Sequence, residues 1–284
     1  MSLLKRIITV IISAALMGTI FSGCSLRRKN YDELNVTFLK VGKADAIVVK
    51  TADHAVLIDA ANQGEGKDIF QYCQENDFTQ LDYFILTHFD QDHVGGAKAV
   101  INKFSVLNIL QPDYTETNQE YLNYRDALEE KNYTPEIIKK TYQFKLDDAI
   151  FTVYPPLENL YESTNNYSLV ITMEYGKKMF LFAGDAENIR LDELMTQLPE
   201  RKSGYDLVKM PHHGQSEKST GDFIDYIKPE YAVITCSKKE SASDRTLKIL
   251  NDKKTDIFFS YNGNITFSCD GYKIKHSEQT EDKN

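Results

Sequence analysis

Cysteine is scarce in this chain: four in 284 residues, with no two close together. Cys24 belongs to the N-terminal segment. The other three, Cys73, Cys236 and Cys269, are an odd number among apolar neighbours, which excludes a disulfide framework and suggests small core residues. Positive charge is short as well, with 33 Lys and Arg against 42 Asp and Glu. An acidic surface repels polyanions at long range, so broad nucleic-acid binding is disfavoured. No internal repeat with a period of roughly 20–50 residues is evident, which argues against a solenoid or propeller. Long apolar runs are confined to Ile7 to Phe21, directly after Lys5 and Arg6. That run is shorter than the roughly 20 residues a spanning helix needs, and with small residues following it reads as an export signal. Removing residues 1–23 takes away Lys5 and Arg6 and no acidic residue, so the net charge of −9 becomes −11.

What is present is enough for a substantial core, since 42% of the residues are hydrophobic. At the export signal, FSGC resembles the lipobox of bacterial lipoproteins, in which the cysteine becomes the lipidated first residue; Phe21 stands where that family usually has Leu. The resemblance implies cleavage after residue 23, lipidation at Cys24, an extracytoplasmic location and a bacterial membrane as partner. The expected organisation is a signal peptide over 1–23, a tether over 24–34, one domain over 35–276 and a polar tail over 277–284. Within the domain, VTFLK, AIVVKT, HAVLIDA and YFILT read as short β-branched or buried strands, with helical spacing around 67–75 and in AKAVINKF. The tyrosine-rich, acidic middle, from Pro112 to Asn166, reads as a solvated surface carrying a helix around 120–131 and then a strand pair. The second half repeats the style. SLVITMEY and KKMFLFAGD form a hairpin around Gly176, a helix covers 187–197, and DLVKMPHHG and EYAVITC are strands. A helix near 246–251 precedes the closing strands DIFFSY, ITFSC and YKIKH. Two halves with strands first and helices between predict an α/β fold of two packed sheets with helices outside.

The stretch THFDQDHVGG, residues 87–96, places His88, Asp90, Asp92 and His93 directly after the apolar run YFIL. Capping the helix that starts near Gly96 explains one aspartate, not four polar groups. A calcium loop fails, because Val94 and Ile101 occupy positions that should supply ligands. Charges at the mouth of a buried strand are costly unless compensated, and divalent metal is the economical partner. Asp185 in FLFAGDAE and His212 and His213 in VKMPHHGQS also follow apolar strands, so four of the six histidines lie in two clusters at strand mouths. Ser216 and Ser219 lack the strand-to-helix setting of a nucleophilic serine and read as caps of the next helix. Lys43 and Lys209 read as solvated strand-end lysines. Asp59, at the end of a strand facing the same edge, either orients a ligand or caps a turn.

The set H-x-D-x-D-H-x-G-G, then G-D, then H-H-G resembles the metallo-β-lactamase-fold hydrolases, in particular the hydrolase domain of ComEC-type competence proteins, which has Asp in place of the usual second histidine. VTFLKVGKADAIVV, NNYSLVI and AVITCSKKE match other motifs of that branch, so the resemblance covers most of the chain. It implies a four-layer αββα sandwich holding two divalent ions, zinc or manganese. His88 and Asp90 would hold one ion and Asp92 and His93 the second, with Asp185 bridging and His212 or His213 completing the second site; Asp92 and Asp185 would carry the catalysis. No histidine lies between His93 and His212, so Asn166, Ser168 or a water stands where the superfamily has its third histidine. The opening loop, usually VGQGDA in that branch, is VGKADA here; Asp45 persists beside the site, with Asp59 as a further support. The late histidine after AVI is absent. Two adjacent ions make hydroxide available at neutral pH and stabilise charge on the attacked centre. The implied activity is a metallo-hydrolase, phosphodiesterase-like, acting on a phosphorylated polymer or small phosphodiester, with DNA disfavoured by charge. A non-catalytic metal- or ligand-binding surface lipoprotein that retains the fold is the alternative.

Overall fold

The computed structural model describes residues 30–280; the export signal and Cys24 lie outside the described residues. Among the described residues fifteen strands form two sheets. The first has eight strands in the order β15-β14-β1-β2-β3-β4-β5-β6: β1 Leu34–Phe38, β2 Ile47–Lys50, β3 Ala55–Ile58, β4 Gln80–Ile85, β5 Ser105–Pro112, β6 Glu136–Ile138, β14 Gly263–Cys269 and β15 Ile274–Thr280. The second has seven in the order β13-β12-β11-β10-β9-β8-β7: β7 Tyr142–Leu146, β8 Ala149–Tyr154, β9 Val170–Tyr175, β10 Lys178–Phe182, β11 Leu207–Lys209, β12 Tyr231–Ile234 and β13 Asp256–Phe259. Both sheets are mixed. Pairing is antiparallel from β15 to β3 and parallel from β3 to β6, and antiparallel from β7 to β10 and parallel from β10 to β13.

Three apolar clusters account for the layering. Val36, Phe38, Val49 and Ile58 of the first sheet meet Phe151, Ile171, Phe180 and Phe182 of the second. On the outer face of the first sheet, Val48, Leu57 and Phe84 pack against α1 (Gly66–Glu75), α3 (Ala97–Lys103) and α4 (Gln119–Lys131) through Ile69, Val100 and Tyr124. On the outer face of the second, Leu181, Val208 and Ala232 pack against α5 (Asn188–Gln197), α6 (Thr220–Ile227) and α7 (Asp244–Asp252) through Leu191, Phe223 and Leu250. The result is the expected αββα sandwich. Central strands are covered on both faces, which is why β3 (AVLI) and β10 (KMFLF) read as near-continuous apolar runs rather than alternating ones. Among the described residues no helix is long and apolar enough to cross a membrane.

Two expectations change. β1 begins at Leu34 and β15 continues to Thr280, where its backbone pairs with Gly263 of β14, so sheet pairing reaches into the expected tail. The tyrosine-rich middle is not simply a solvated surface: Tyr121 and Tyr124 are buried. The rings of Tyr114, Tyr121 and Tyr124 gather around Phe89 at 4.8, 4.5 and 6.2 Å, and the Phe89 N–H donates to the Tyr114 hydroxyl oxygen at 2.6 Å. These aromatics form the packed backing of the His88–His93 loop, a long-range contact that local polarity does not disclose. Cys73, Cys236 and Cys269 are buried free thiols.

Candidate metal centre

The site lies where the parallel strands of both sheets end. Asp59 follows β3, and the loop after β4 carries His88 and Asp90 and continues into the one-turn helix α2 (Gln91–Val94), which holds Asp92 and His93. Asp185 follows β10 and His212 and His213 follow β11; Asp45 enters from the loop before β2. Backbone bonds lace these loops together: Ala60 N–H to the His93 carbonyl at 2.8 Å, Asp45 N–H to the Asp92 carbonyl at 3.1 Å and Ala61 N–H to the Asp45 carbonyl at 2.8 Å. The glycines of HVGG are required by this approach, since a Cβ on Gly96 would run into the Ala60 carbonyl oxygen. Asp59, His212 and His213 all have positive φ, at 58°, 46° and 52°. Such conformations in non-glycine residues persist only where the surroundings enforce them.

Asp92, His93, Asp185 and His213 each direct a ligand atom into one space, all within 4.8 Å of one another. The Asp185 carboxylate sits 3.2 Å from His93 Nε2 through Oδ1 and 3.2 Å from His213 Nε2 through Oδ2, and Asp92 Oδ2 is 3.2 Å from His213 Nε2. His88 lies beside His93 with ring centroids 4.1 Å apart and the rings tilted by 49°, and its Nε2 is 3.9 Å from Asp90 Oδ2.

The far nitrogens are all tied down. His93 Nδ1 is 2.8 Å from Asp59 Oδ2, and His213 Nδ1 is 2.7 Å from the Thr235 carbonyl. His88 Nδ1 is 3.1 Å from the Thr87 hydroxyl, which itself donates to Asp59 Oδ2 at 2.8 Å. Asp59 also receives the Thr87 N–H, so a single carboxylate orients two histidines and closes the turn after β3. These bonds occupy Nδ1 of each ring and turn Nε2 towards the carboxylates, so Nε2 is the nitrogen a metal would take once any proton on it is displaced.

His88, His93 and His213 Nε2 are three of the six buried side-chain polar atoms without a hydrogen-bond partner among the described residues. Orphaned buried nitrogens are expensive, and three of them converging beside carboxylates form a donor set that fits divalent metal.

Several sequence expectations are relocated. His213 joins the cluster, whereas His212 turns away from it towards Glu187 and Glu217, at 3.4 and 4.0 Å. Asn166 Oδ1 accepts from the Glu187 and Arg190 N–H groups at the start of α5, at 3.2 and 3.4 Å. The Ser168 hydroxyl accepts from Asp185 N–H at 3.1 Å. Both are therefore engaged in anchoring the Asp185 turn. Asp90 accepts from the Thr164 hydroxyl at 2.8 Å and, although it directly precedes α2, its side chain makes no cap bond. Ser219 precedes α6 without a side-chain cap bond; the Thr220 hydroxyl accepts from Glu217 N–H instead.

Lys209 is the largest revision, because it is fully buried rather than solvated. Its Nζ lies 2.5 Å from Asp45 Oδ2 and 3.2 Å from Asp185 Oδ1, and it donates to the Gly184 carbonyl at 2.8 Å. The available signal was a lysine inside the apolar strand that runs into HHG.

Burial alone would raise the Asp185 carboxyl, but His213, His93 and Lys209 hold it well below the usual carboxylate range. Burial alone would lower His213, yet Asp185 and Asp92 bring it up to about 9 in the metal-free protein. His88 goes the other way: burial together with the His93 charge pushes it down and outweighs the smaller raising effects of Asp185, Asp90 and Asp59. His213 has an ordinary value near 6.5 and a folded value near 9. Its charge therefore stabilises the metal-free protein fully below pH 6.5, and that contribution is lost as the pH rises through about 9. Metal competes with this proton for Nε2, so the rise in Tm on adding Mn²⁺ to chelator-treated protein is expected to be larger at pH 8.5 than at pH 6.5. Thermal melts at both values check this, and an equal or smaller rise at the higher pH contradicts it.

The family model of the metallo-β-lactamase superfamily matches residues 39–238, and the chain belongs to that superfamily. Its fold is that of a metal-dependent hydrolase, and the His and Asp clusters are candidate metal-binding groups. Among curated proteins it is 29% identical to the ComE operon protein 3 of Bacillus subtilis, over 65% of this chain and 24% of that protein. It is 26% identical to the competence protein ComA of Neisseria gonorrhoeae, over 72% and 27%, and 22% identical to the recombination protein 2 of Haemophilus influenzae, over 72% and 24%. These relatives support the ComEC-type competence branch, and the chain spans about a quarter of their length. The fold matches the metallo-β-lactamase fold protein YhfI from Bacillus subtilis with a TM-score of 0.54 at 10% identity, covering 87% of this chain and all of that one. The metallo hydrolase Igni18 from Ignicoccus hospitalis gives 0.54 at 13%, with 87% and 100% covered. CmlA, a diiron β-hydroxylase from Streptomyces venezuelae, gives 0.53 at 14%, with 81% and 53% covered.

Proposed function

We propose that the protein is a phosphodiesterase at the extracytoplasmic face of a bacterial membrane, holding two divalent ions, zinc or manganese. The observation that carries this reading is the convergence of three buried Nε2 atoms beside the site carboxylates, none in a well-formed hydrogen bond and each ring held by a bond on its other nitrogen. His88 and Asp90 would hold one ion, and Asp92, His93 and His213 the other, with Asp185 reaching both. When bound, such ions supply a hydrolytic nucleophile at neutral pH and stabilise charge on the attacked phosphorus. The chain's own part is orientation and charge balance. Asp59 aligns His93 directly and His88 through Thr87, and the buried Lys209 supplies a counter-charge to Asp45 and Asp185.

A cleft of about 410 Å³ opens beside Asp92, lined by Lys43, Gln91, Glu65 and Glu240. One lysine among two glutamates, in a chain of net charge −9, offers a long polyanion little attraction. That favours a small phosphodiester or a phosphorylated polymer over DNA.

The reading is tested by assaying full-length protein with Mn²⁺ or Zn²⁺ on bis-p-nitrophenyl phosphate, a choline-phosphate ester and single-stranded DNA. Turnover of the first two, with DNA the poorest, is expected. Metal binding without turnover of any of them would replace this reading with the non-catalytic surface lipoprotein. Anchoring through Cys24 has its own expected result: Cys24→Ser releases the protein from the membrane fraction or leaves the signal uncleaved. A variant that fractionates and migrates like the parent removes the lipid anchor.

A further inference from the structure

His212 was available to the dinuclear centre by sequence and does not join it. Its backbone lies in the left-handed region, at φ 46° and ψ 50°, and its ring is 6.3 Å from that of His213. There it faces two carboxylates from different elements, Glu187 immediately before α5 and Glu217 in the loop before α6. His212 Nδ1 lies 3.4 Å from Glu187 Oε1 and 4.0 Å from Glu217 Oε1, and the three ligand atoms lie within 4.8 Å of one another.

Two of the buried polar atoms without a hydrogen-bond partner belong to this spot, His212 Nδ1 and Asn165 Oδ1. The Asn165 amide donates to Glu187 Oε1 at 2.7 Å, and the Asn188 amide donates to Glu217 Oε2 at 2.8 Å. Those amides set the orientation of both carboxylates and leave Glu217 Oε1 turned towards the imidazole.

From this geometry we propose a third divalent-cation site, formed by Glu187, His212 and Glu217 and separate from the dinuclear centre. The proposal does not depend on the hydrolase reading. One imidazole with two carboxylates is a mixed nitrogen–oxygen donor set, which suits Zn²⁺ or Mn²⁺ better than the all-oxygen preference of Ca²⁺ or Mg²⁺. The three side chains are each about one-fifth exposed, so the site has an entry path and room for water to complete the coordination. Three protein ligands with open positions describe an exchangeable ion rather than a closed structural one.

The test is the number of ions bound by chelator-stripped full-length protein on titration with Zn²⁺ or Mn²⁺, read by native mass spectrometry, for the parent, Glu217→Gln and His212→Ala. Each variant is expected to bind one ion fewer than the parent, with its far-ultraviolet circular dichroism unchanged. Glu217 is a loop residue, so Glu217→Gln keeps the test sound if His212→Ala disturbs the neighbouring His213. Equal numbers in the parent and Glu217→Gln overturn the proposal. The dinuclear reading is judged separately, by the number that remains in the variants. Anomalous scattering from Mn²⁺-soaked crystals offers a second readout, with a peak expected between His212 and the two glutamates; a peak at the dinuclear centre alone would likewise overturn it.

Discussion

Asp185→Asn is expected to lower kcat/KM on a generic phosphodiester by about a hundredfold or more at matched metal. Among the described residues Asp185 is the one carboxylate within 3.2 Å of both His93 Nε2 and His213 Nε2, and it also meets Lys209. Three cationic or donor groups hold it deprotonated against the cost of burial. An asparagine keeps the volume and loses the charge, so it weakens the hold on metal and unbalances Lys209 in one step. Steady-state kinetics paired with metal analysis checks this. An Asp185→Asn protein as active as the parent would remove the residue from its central position even if catalysis survives.

Lys209→Met is the second large effect, and it falls on stability. Lys209 has no exposure, and Asp45 and Asp185 are 1% and 3% exposed, so removing the ammonium takes the lysine counter-charge from two buried carboxylates and leaves Asp185 with His93 and His213 alone. Breaking a buried pair in this way costs on the order of 3–5 kcal/mol. For a domain of this size that lowers Tm by on the order of 10 °C. The cost comes from the orphaned charges, so Lys209→Met with Asp45→Asn is expected to recover much of the loss. Chelator-treated protein gives the cleanest comparison, since bound metal would compensate Asp185 in part. A Lys209→Met protein as stable as the parent, or a double variant no better than the single one, would mean that Lys209 is not the counter-charge of this pair.

The layering was legible in the sequence because it rests on local signals: apolar strands covered on both faces, helical spacing in AKAVINKF, and the turn at Gly176. The polar loops at strand mouths were legible for the same reason, since charge immediately after a buried strand is visible without a fold. What was not legible depends on pairs distant in the chain. Lys209 looks like any strand-end lysine until Asp45, far away in sequence, is brought to 2.5 Å from it. The choice between His212 and His213 is made by two left-handed backbone conformations that send adjacent rings in different directions. Asn166 suited a metal by chemistry, but the start of α5 claims its carbonyl. The tyrosines of the middle segment looked solvated because their company is acidic, and only the loop at Phe89 shows what they pack against.

The central claim is that hydrolysis depends on metal held by the His88–His213 cluster, and it is met most directly by following activity and occupancy together. Chelator-stripped protein is titrated with Mn²⁺, and at each point the bound metal and the rate on bis-p-nitrophenyl phosphate are measured on the same sample. No turnover is expected in the stripped protein, with a rate that rises as the cluster fills and no recovery in Asp185→Asn over the same range. Turnover that survives stripping, or a filled cluster that hydrolyses nothing, would contradict it.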